Sequence, residues 1–80
     1  MNQENEKSDL ELEILTFKPY LRFRMGDLVT LRADLTQSIV FQIHWIFPFE
    51  EHDYKLLGVD GSKKILLLSA SDQSLEPYTK

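Results

Sequence analysis

Cysteine is absent from this chain of 80 residues, so disulfide bonds cannot stabilise it and packing must do so, alone or with a partner chain. Long apolar runs are also missing, since no stretch approaches the roughly 18 apolar residues that a membrane helix needs. The opening MNQENEKSDLE has neither the basic start nor the apolar segment of a signal peptide. We therefore expect one small cytoplasmic domain.

A surplus of positive charge is missing as well. The net charge of −4 resides in residues 1–16, which hold five acids and one base, while residues 17–80 hold eight of each. Strong non-specific binding to nucleic acid needs an excess of lysine and arginine, and this balance argues against it. We divide the chain into an acidic extension, residues 1–16, and a folded domain, residues 17–80.

Catalytic, nucleotide-binding and metal-binding motifs are not recognisable either. The metal-ligating residue types that do cluster have neither zinc-site nor calcium-loop spacing; they are His44, Glu50, Glu51, His52 and Asp53. An acid–base pair among them would need a pocket and an orienting group that the sequence does not indicate. We predict a solvated loop at residues 50–53, no metal, no cofactor and no enzymatic activity.

The acidic extension contains two patterns. Residues 1–8 have no apolar side chain after Met1, which is typical of a disordered arm. Leu10, Leu12 and Ile14 then alternate with glutamates, a period of two that favours a strand. A helix remains open, because Leu10 and Ile14 are also four residues apart and leucine and glutamate are good helix formers. Either element is placed to pair with an edge of the folded domain or of a neighbouring subunit.

The folded domain is organised around residues 21–31, in which a turn at Met25-Gly26-Asp27 separates two runs with apolar residues at every second position. Further strands are predicted at residues 39–47, 54–59, 63–68 and 75–77, with a hairpin at Asp60-Gly61 and one helical turn within residues 69–74. In residues 39–47, alternation places Trp45 and Phe47 on one face with Ile43, and His44 and Ile46 on the other. Such a short sheet is expected to curl into a closed or nearly closed barrel.

The segment FRMGDLVTL resembles the opening of SH3-like small barrels, which include the KOW-like proteins and many uncharacterised bacterial and phage proteins. The ending is also similar to theirs: a strand with Tyr54, the Asp60-Gly61 hairpin, a return strand, a 3₁₀ turn and a leucine-glutamate-proline close. The resemblance covers residues 20–78 and implies an all-β SH3-like barrel of about five strands. It implies little about activity, because such barrels bind peptides, bind nucleic acids and build assemblies.

Two surfaces are candidate sites. The aromatic run of Trp45, Phe47 and Phe49, with Ile46, exceeds what a small core holds, and exposed apolar patches usually mark interfaces. We therefore predict a non-catalytic interaction or assembly module that binds a protein partner, including a second copy of itself, through this aromatic patch and an edge strand. The alternative is a nucleic-acid-binding accessory protein of KOW or Tudor type, with Arg22, Arg24 and Arg32 contacting phosphates beside Tyr20 and Phe23. No membrane partner is expected.

Overall fold

The computed structural model describes residues 3–79, with side chains from residue 9 onward, and the chain is mostly β. The elements in chain order are α1 (Gln3–Phe17), β1 (Leu28–Leu31), β2 (Phe41–Ile46), β3 (Tyr54–Val59), β4 (Ile65–Ala70), a 3₁₀ turn (Asp72–Ser74) and β5 (Leu75–Pro77). Among these residues no helix has both the length and the apolar character to cross a membrane.

The strands form one antiparallel sheet in the order β4-β3-β2-β1-β5. The expectation of five short strands is therefore confirmed, whereas the expected closure is not: β4 and β5 are the two edges. The 3₁₀ turn carries the chain directly from β4 to the opposite edge, where β5 pairs with β1 over only three residues, Leu75 to Pro77. The sheet is accordingly open, and β4 hydrogen-bonds with β3 on one side.

Residues 10–14 are helical, so the strand favoured by their alternation is wrong. The first two residues of the predicted disordered arm lie outside the described residues, and residues 3–8 form the first turns of α1. Ile14 packs against the core, whereas Leu12 and Leu15 are exposed. The helix ends with a bond from Lys18 N–H to the Ile14 carbonyl, next to Pro19.

The core lies on one face of the sheet, and a bulge in β2 decides which side chains enter it. Phe41 and Ile43 are buried in alternation, but the register with β3 shifts between Ile43 and Trp45. A bulge inserts one residue and reverses the alternation beyond it. Ile46 therefore points into the core and Trp45 away from it, opposite to the faces expected from strict alternation. The buried apolar set is Phe23, Val29, Phe41, Ile43, Ile46, Tyr54, Leu56 and Leu75.

Two turns form where the sequence predicts them, but in only one of them does the expected glycine have the positive φ. Gly26 has φ of +93°, and Asp27 N–H bonds to the Arg24 carbonyl, as in a turn that needs glycine at its third position. The Asp60 hairpin forms as predicted, but the positive φ (+65°) falls on Lys63. Asp60 N–H bonds to the Lys64 carbonyl and Lys63 N–H to that of Asp60, the pattern of a three-residue loop ending in a left-handed residue.

Replacing Lys63 by glycine is expected to stabilise the fold. The left-handed conformation costs a lysine roughly 1 kcal/mol that glycine does not incur, and the flexibility of glycine in the unfolded state offsets part of the gain. We expect Lys63→Gly to raise the free energy of unfolding by about 0.5 kcal/mol in urea titrations. Lys63→Ala is the control, because it removes the same side chain and keeps the strain. An equal gain in both variants would contradict this explanation.

Candidate functional site

The four predicted patch residues lie in different surroundings. Trp45 is 43% exposed on the side of the sheet away from the core, whereas Ile46 is buried and cannot contribute to a surface patch. Phe47 is half-buried. Phe49, 65% exposed, lies in the loop after β2 and packs edge-on against Phe17 of α1, with 5.0 Å between ring centroids. Trp45 and Phe49 therefore belong to different surroundings. Trp45 is exposed on the sheet, whereas Phe49 contacts the helix.

Two of the three candidate arginines bind their own chain. The Arg22 Nε donates to Asp72 Oδ1 at 2.8 Å, and its Nη2 donates to the carbonyls of Asp72 and Leu75. Arg32 donates from Nε to the Gln73 carbonyl and from Nη2 to the Leu75 carbonyl. These bonds join the 3₁₀ turn and β5 to the segments directly before and after β1. Arg24 is exposed, and its backbone N–H, not its guanidinium, donates to Asp27.

The histidines and acids around residue 50 do not converge on a metal site. His44 is exposed on β2, and His52 offers its backbone carbonyl to Lys18 Nζ at 2.9 Å. Asp53 is buried and accepts from Lys18 Nζ, also at 2.9 Å, and a 2.6 Å bond joins that ammonium to the Glu50 carbonyl. Within the described part of the chain, no group of three or more potential ligands lies close enough to hold an ion. The loop is instead tied to the end of α1 through Lys18.

Asp53 and Asp72 belong to a buried polar network that is centred on Asp72. The Asp72 N–H donates to Asp53 Oδ2 at 2.7 Å, and the Tyr54 hydroxyl donates to Asp72 Oδ2 at the same distance. Asp72 Oδ2 also accepts from Arg22 N–H, while the Tyr54 oxygen accepts from Phe23 N–H. The network therefore links the segment before β1 to β3 and the 3₁₀ turn. The sequence contains no local signal for it, because its partners are up to 50 residues apart.

The surroundings of this network shift the pKa values of two of its members, Asp72 and Tyr54. Burial pushes the pKa of Asp72 upward, but the bonds from Arg22 N–H, the Tyr54 hydroxyl and the Arg22 side chain outweigh burial and leave it below its ordinary value. Burial and the bond to Asp72 raise the pKa of Tyr54 far above its usual range. Asp72 is therefore ionised and Tyr54 neutral at pH 7, and both serve as fixed structural groups.

A groove and a cavity flank the network and the helix. Tyr20, Glu51 and Ser71, with Asp53, Asp72 and Gln73, line an open groove of about 350 Å³ at the end of β4. A cavity of about 520 Å³ separates α1 from the sheet and has mainly apolar walls, including Leu10, Ile14, Leu21, Phe23 and Ile46. The groove is acidic at its rim, because Glu51 is exposed and forms no salt bridge to any described residue.

The side of the sheet away from the core is an apolar surface, which we call the outer face. Strand pairing aligns its residues in rows across neighbouring strands: Leu28-Gln42-Leu57-Leu67, Val59-Ile65 and Trp45-Lys55-Ser69. Ile65 is 67% exposed and Leu67 57%, and Val59, Leu28 and Trp45 are also exposed. The contiguous apolar part of this face is formed by Leu57, Val59, Ile65 and Leu67, and Gln42 and Lys55 separate it from Leu28 and Trp45. A contiguous apolar patch usually marks an interaction site.

The edge of β4 borders this outer face. Asp60 and Lys64 are a hydrogen-bonded pair, and alternation along an antiparallel ladder then turns the backbone groups of Ile65, Leu67 and Ser69 away from β3. No other described residue donates to or accepts from these outward groups. An edge strand was expected to take part in association, but the sequence analysis did not specify β4. Four consecutive apolar residues, Ile65 to Leu68, indicate it, because alternation buries only half of them.

Comparison of the chain with protein-family models, with curated proteins and with solved structures finds no significant match in any of the three.

Proposed function

We propose that this protein is a non-catalytic interaction module that associates with a second copy of itself through β4 and the outer face. The observation that carries the proposal is the apolar, unpaired edge of β4. Proteins usually protect such edges with charges, prolines or bulges, because an open row of backbone groups recruits other strands. Residues 65–70 contain none of these features. An edge left open and apolar is best explained by a partner strand.

We further propose that the sheet is a variant of the SH3-like small barrel. Three features support this assignment: β1 lies between β2 and β5, the strands follow one another as a meander from β1 to β4, and a 3₁₀ turn precedes β5. These features match the order that the sequence resemblance implies. Assembly through a strand edge is one of the uses of such barrels, and the fold alone does not select among them.

The alternative of nucleic-acid binding has less support in the geometry. The guanidinium groups of Arg22 and Arg32 already bind the 3₁₀ turn and β5, so phosphate contacts would compete with bonds that hold the fold. Arg24 alone of the three has a side chain with no such bond among the described residues. The non-catalytic part of the proposal is supported by the buried carboxylates, which are paired with Lys18 and Arg22.

A lysine in the centre of β4 is expected to abolish self-association. Leu67→Lys places a charge in the middle of the apolar surface, at a side chain that is 57% exposed and therefore tolerates the change in the monomer. We expect light scattering after size-exclusion chromatography to give a dimer mass for the wild-type chain and a monomer mass for the variant. The dissociation constant of the dimer should rise at least about tenfold.

Leu35→Lys is the matched control, because Leu35 is 90% exposed in the loop after β1 and lies off the outer face. It changes the charge by the same amount and is expected to leave the dimer mass unchanged. A wild-type chain that stays monomeric at high protein concentration would remove the proposed function. Equal weakening by both variants would instead assign the effect to net charge.

A further inference from the structure

The backbone groups on the free edge of β4 determine how two copies of the chain can pair through this strand. We infer that two copies pair β4 against β4 in antiparallel orientation, with Leu67 of each chain on the two-fold axis, to form a continuous ten-stranded sheet. The inference rests on the proposed function and adds to it the register, which the hydrogen-bonding pattern of β4 determines.

The outward backbone groups restrict the possible registers. Because the backbone groups of Ile65, Leu67 and Ser69 point outward, these residues must form the hydrogen-bonded pairs of any new antiparallel ladder. Centring on Leu67 uses all three of them: Leu67 pairs with Leu67 of the second copy, and Ile65 pairs with Ser69 of the second copy. A shift by two residues leaves one of the three without a partner in the other β4. The centred register therefore satisfies the most backbone groups.

The same register places apolar side chains of the two copies side by side on both faces of the sheet. On the outer face, the row Leu28-Gln42-Leu57-Leu67 continues into the same row of the second copy in reverse order. On the core side, Leu68, which is 40% exposed, is placed opposite Leu66 of the second copy. Two-fold pairing is isologous, so each chain contributes the same surface and the assembly stops at two.

Charges at the two ends of β4 favour this partner. Lys63 and Lys64 precede the strand, and centring on Leu67 places them opposite Ser71 and Ala70 of the second copy. Ser71 lines the groove that carries Glu51, Asp53 and Asp72, of which Glu51 forms no salt bridge to a described residue. Asp53 and Asp72 are neutralised by Lys18 and Arg22, so Glu51 is the acid of this groove that each pair of lysines approaches. The lysines of the two chains lie at opposite ends of the shared ladder, which keeps like charges apart.

Single cysteines test the register, because the natural chain contains none. Leu67→Cys is expected to form a disulfide-linked dimer under mild oxidation, since Cα atoms of a hydrogen-bonded antiparallel pair are about 5.5 Å apart, within disulfide range. Ile65→Cys and Ser69→Cys are each expected to stay unlinked alone, because like positions are about 13 Å apart. Mixed in equal amounts, these two variants should cross-link with each other.

Leu35→Cys is the control for random oxidation, because the Leu35 side chain is 90% exposed and lies away from β4. Cross-linking of Ile65→Cys alone, or equal cross-linking of Leu67→Cys and Leu35→Cys, would overturn the register. Light scattering on the unmodified chain separates the two failures. A dimer whose cysteines link in another pattern contradicts only this inference, whereas a monomer contradicts the proposed function as well.

Discussion

Asp72→Ala is expected to lower the free energy of unfolding by about 2–4 kcal/mol, because each buried donor that loses its acceptor costs about 1–3 kcal/mol, whereas the Arg22 side chain, 42% exposed, remains hydrated. The substitution leaves the Tyr54 hydroxyl, the Arg22 N–H and the Arg22 Nε without their acceptor, while the Arg22 Nη2 keeps its two backbone carbonyls. Domains have only about 5–15 kcal/mol of stability, and short ones lie near the lower end. Urea titrations followed by circular dichroism, at one fixed protein concentration, should show a large fall in midpoint.

Asp72→Asn separates charge from shape. The amide keeps one acceptor oxygen, whereas both carboxylate oxygens accept bonds in the native chain, so we expect an intermediate loss of about 1–3 kcal/mol. Asp9→Ala, an exposed helical position, is the control and should change stability by less than about 0.5 kcal/mol. A loss no larger in Asp72→Ala than in Asp9→Ala would show that the network does not stabilise the fold.

The pH dependence follows from the direction of the pKa shift. The pKa of Asp72 is lower in the folded chain than in the unfolded chain, so its contribution is complete above the unfolded value of about 3.9 and is lost as the pH falls through the folded value. The difference in stability between the native chain and Asp72→Asn should therefore be constant near neutral pH and shrink below about pH 4. A difference that grows on acidification would contradict the assigned charge state.

Local signals were enough to predict most of the strands and turns. Gly26 has the positive φ that its turn requires, and the Asp60 hairpin joins two strands at the predicted place. These features depend on neighbouring residues, and β-propensity and turn chemistry act over such short distances. The 3₁₀ turn before Leu75 follows for the same reason, because serine, aspartate and proline punctuate that segment.

The candidate sites depended on contacts that local patterns do not specify. One inserted residue between Ile43 and Trp45 exchanges the faces of Trp45 and Ile46, and alternation alone cannot locate such a bulge. Residues 10–14 form a helix instead of the predicted strand, and Ile14 of this helix packs on a core formed by distant strands, a contact that the local pattern does not contain. Arg22 looked available for phosphate because its partner, Asp72, is 50 residues away in the sequence.

Gly58→Ala is expected to destabilise the fold by about 2–3 kcal/mol, the second-largest effect that we predict, because the sheet has no room for a methyl group there. A Cβ at Gly58 would lie 2.6 Å from Phe41 Cδ1 and 2.7 Å from Cε1. Phe41 is directly opposite in the ladder, fully buried, and packed in the centre of the core, so its ring cannot move aside without displacing its neighbours.

Gly61→Ala is the matched control for that substitution, because a Cβ at Gly61 meets no atom within 4 Å and its φ is not positive. The loop variant should be neutral or slightly stabilising, by about 0.5 kcal/mol, through the less flexible unfolded chain. Phe41→Leu combined with Gly58→Ala should be less destabilising than the sum of the two single changes, since the smaller side chain relieves the clash. Strict additivity in that cycle would show that Phe41 is not what excludes a side chain at Gly58.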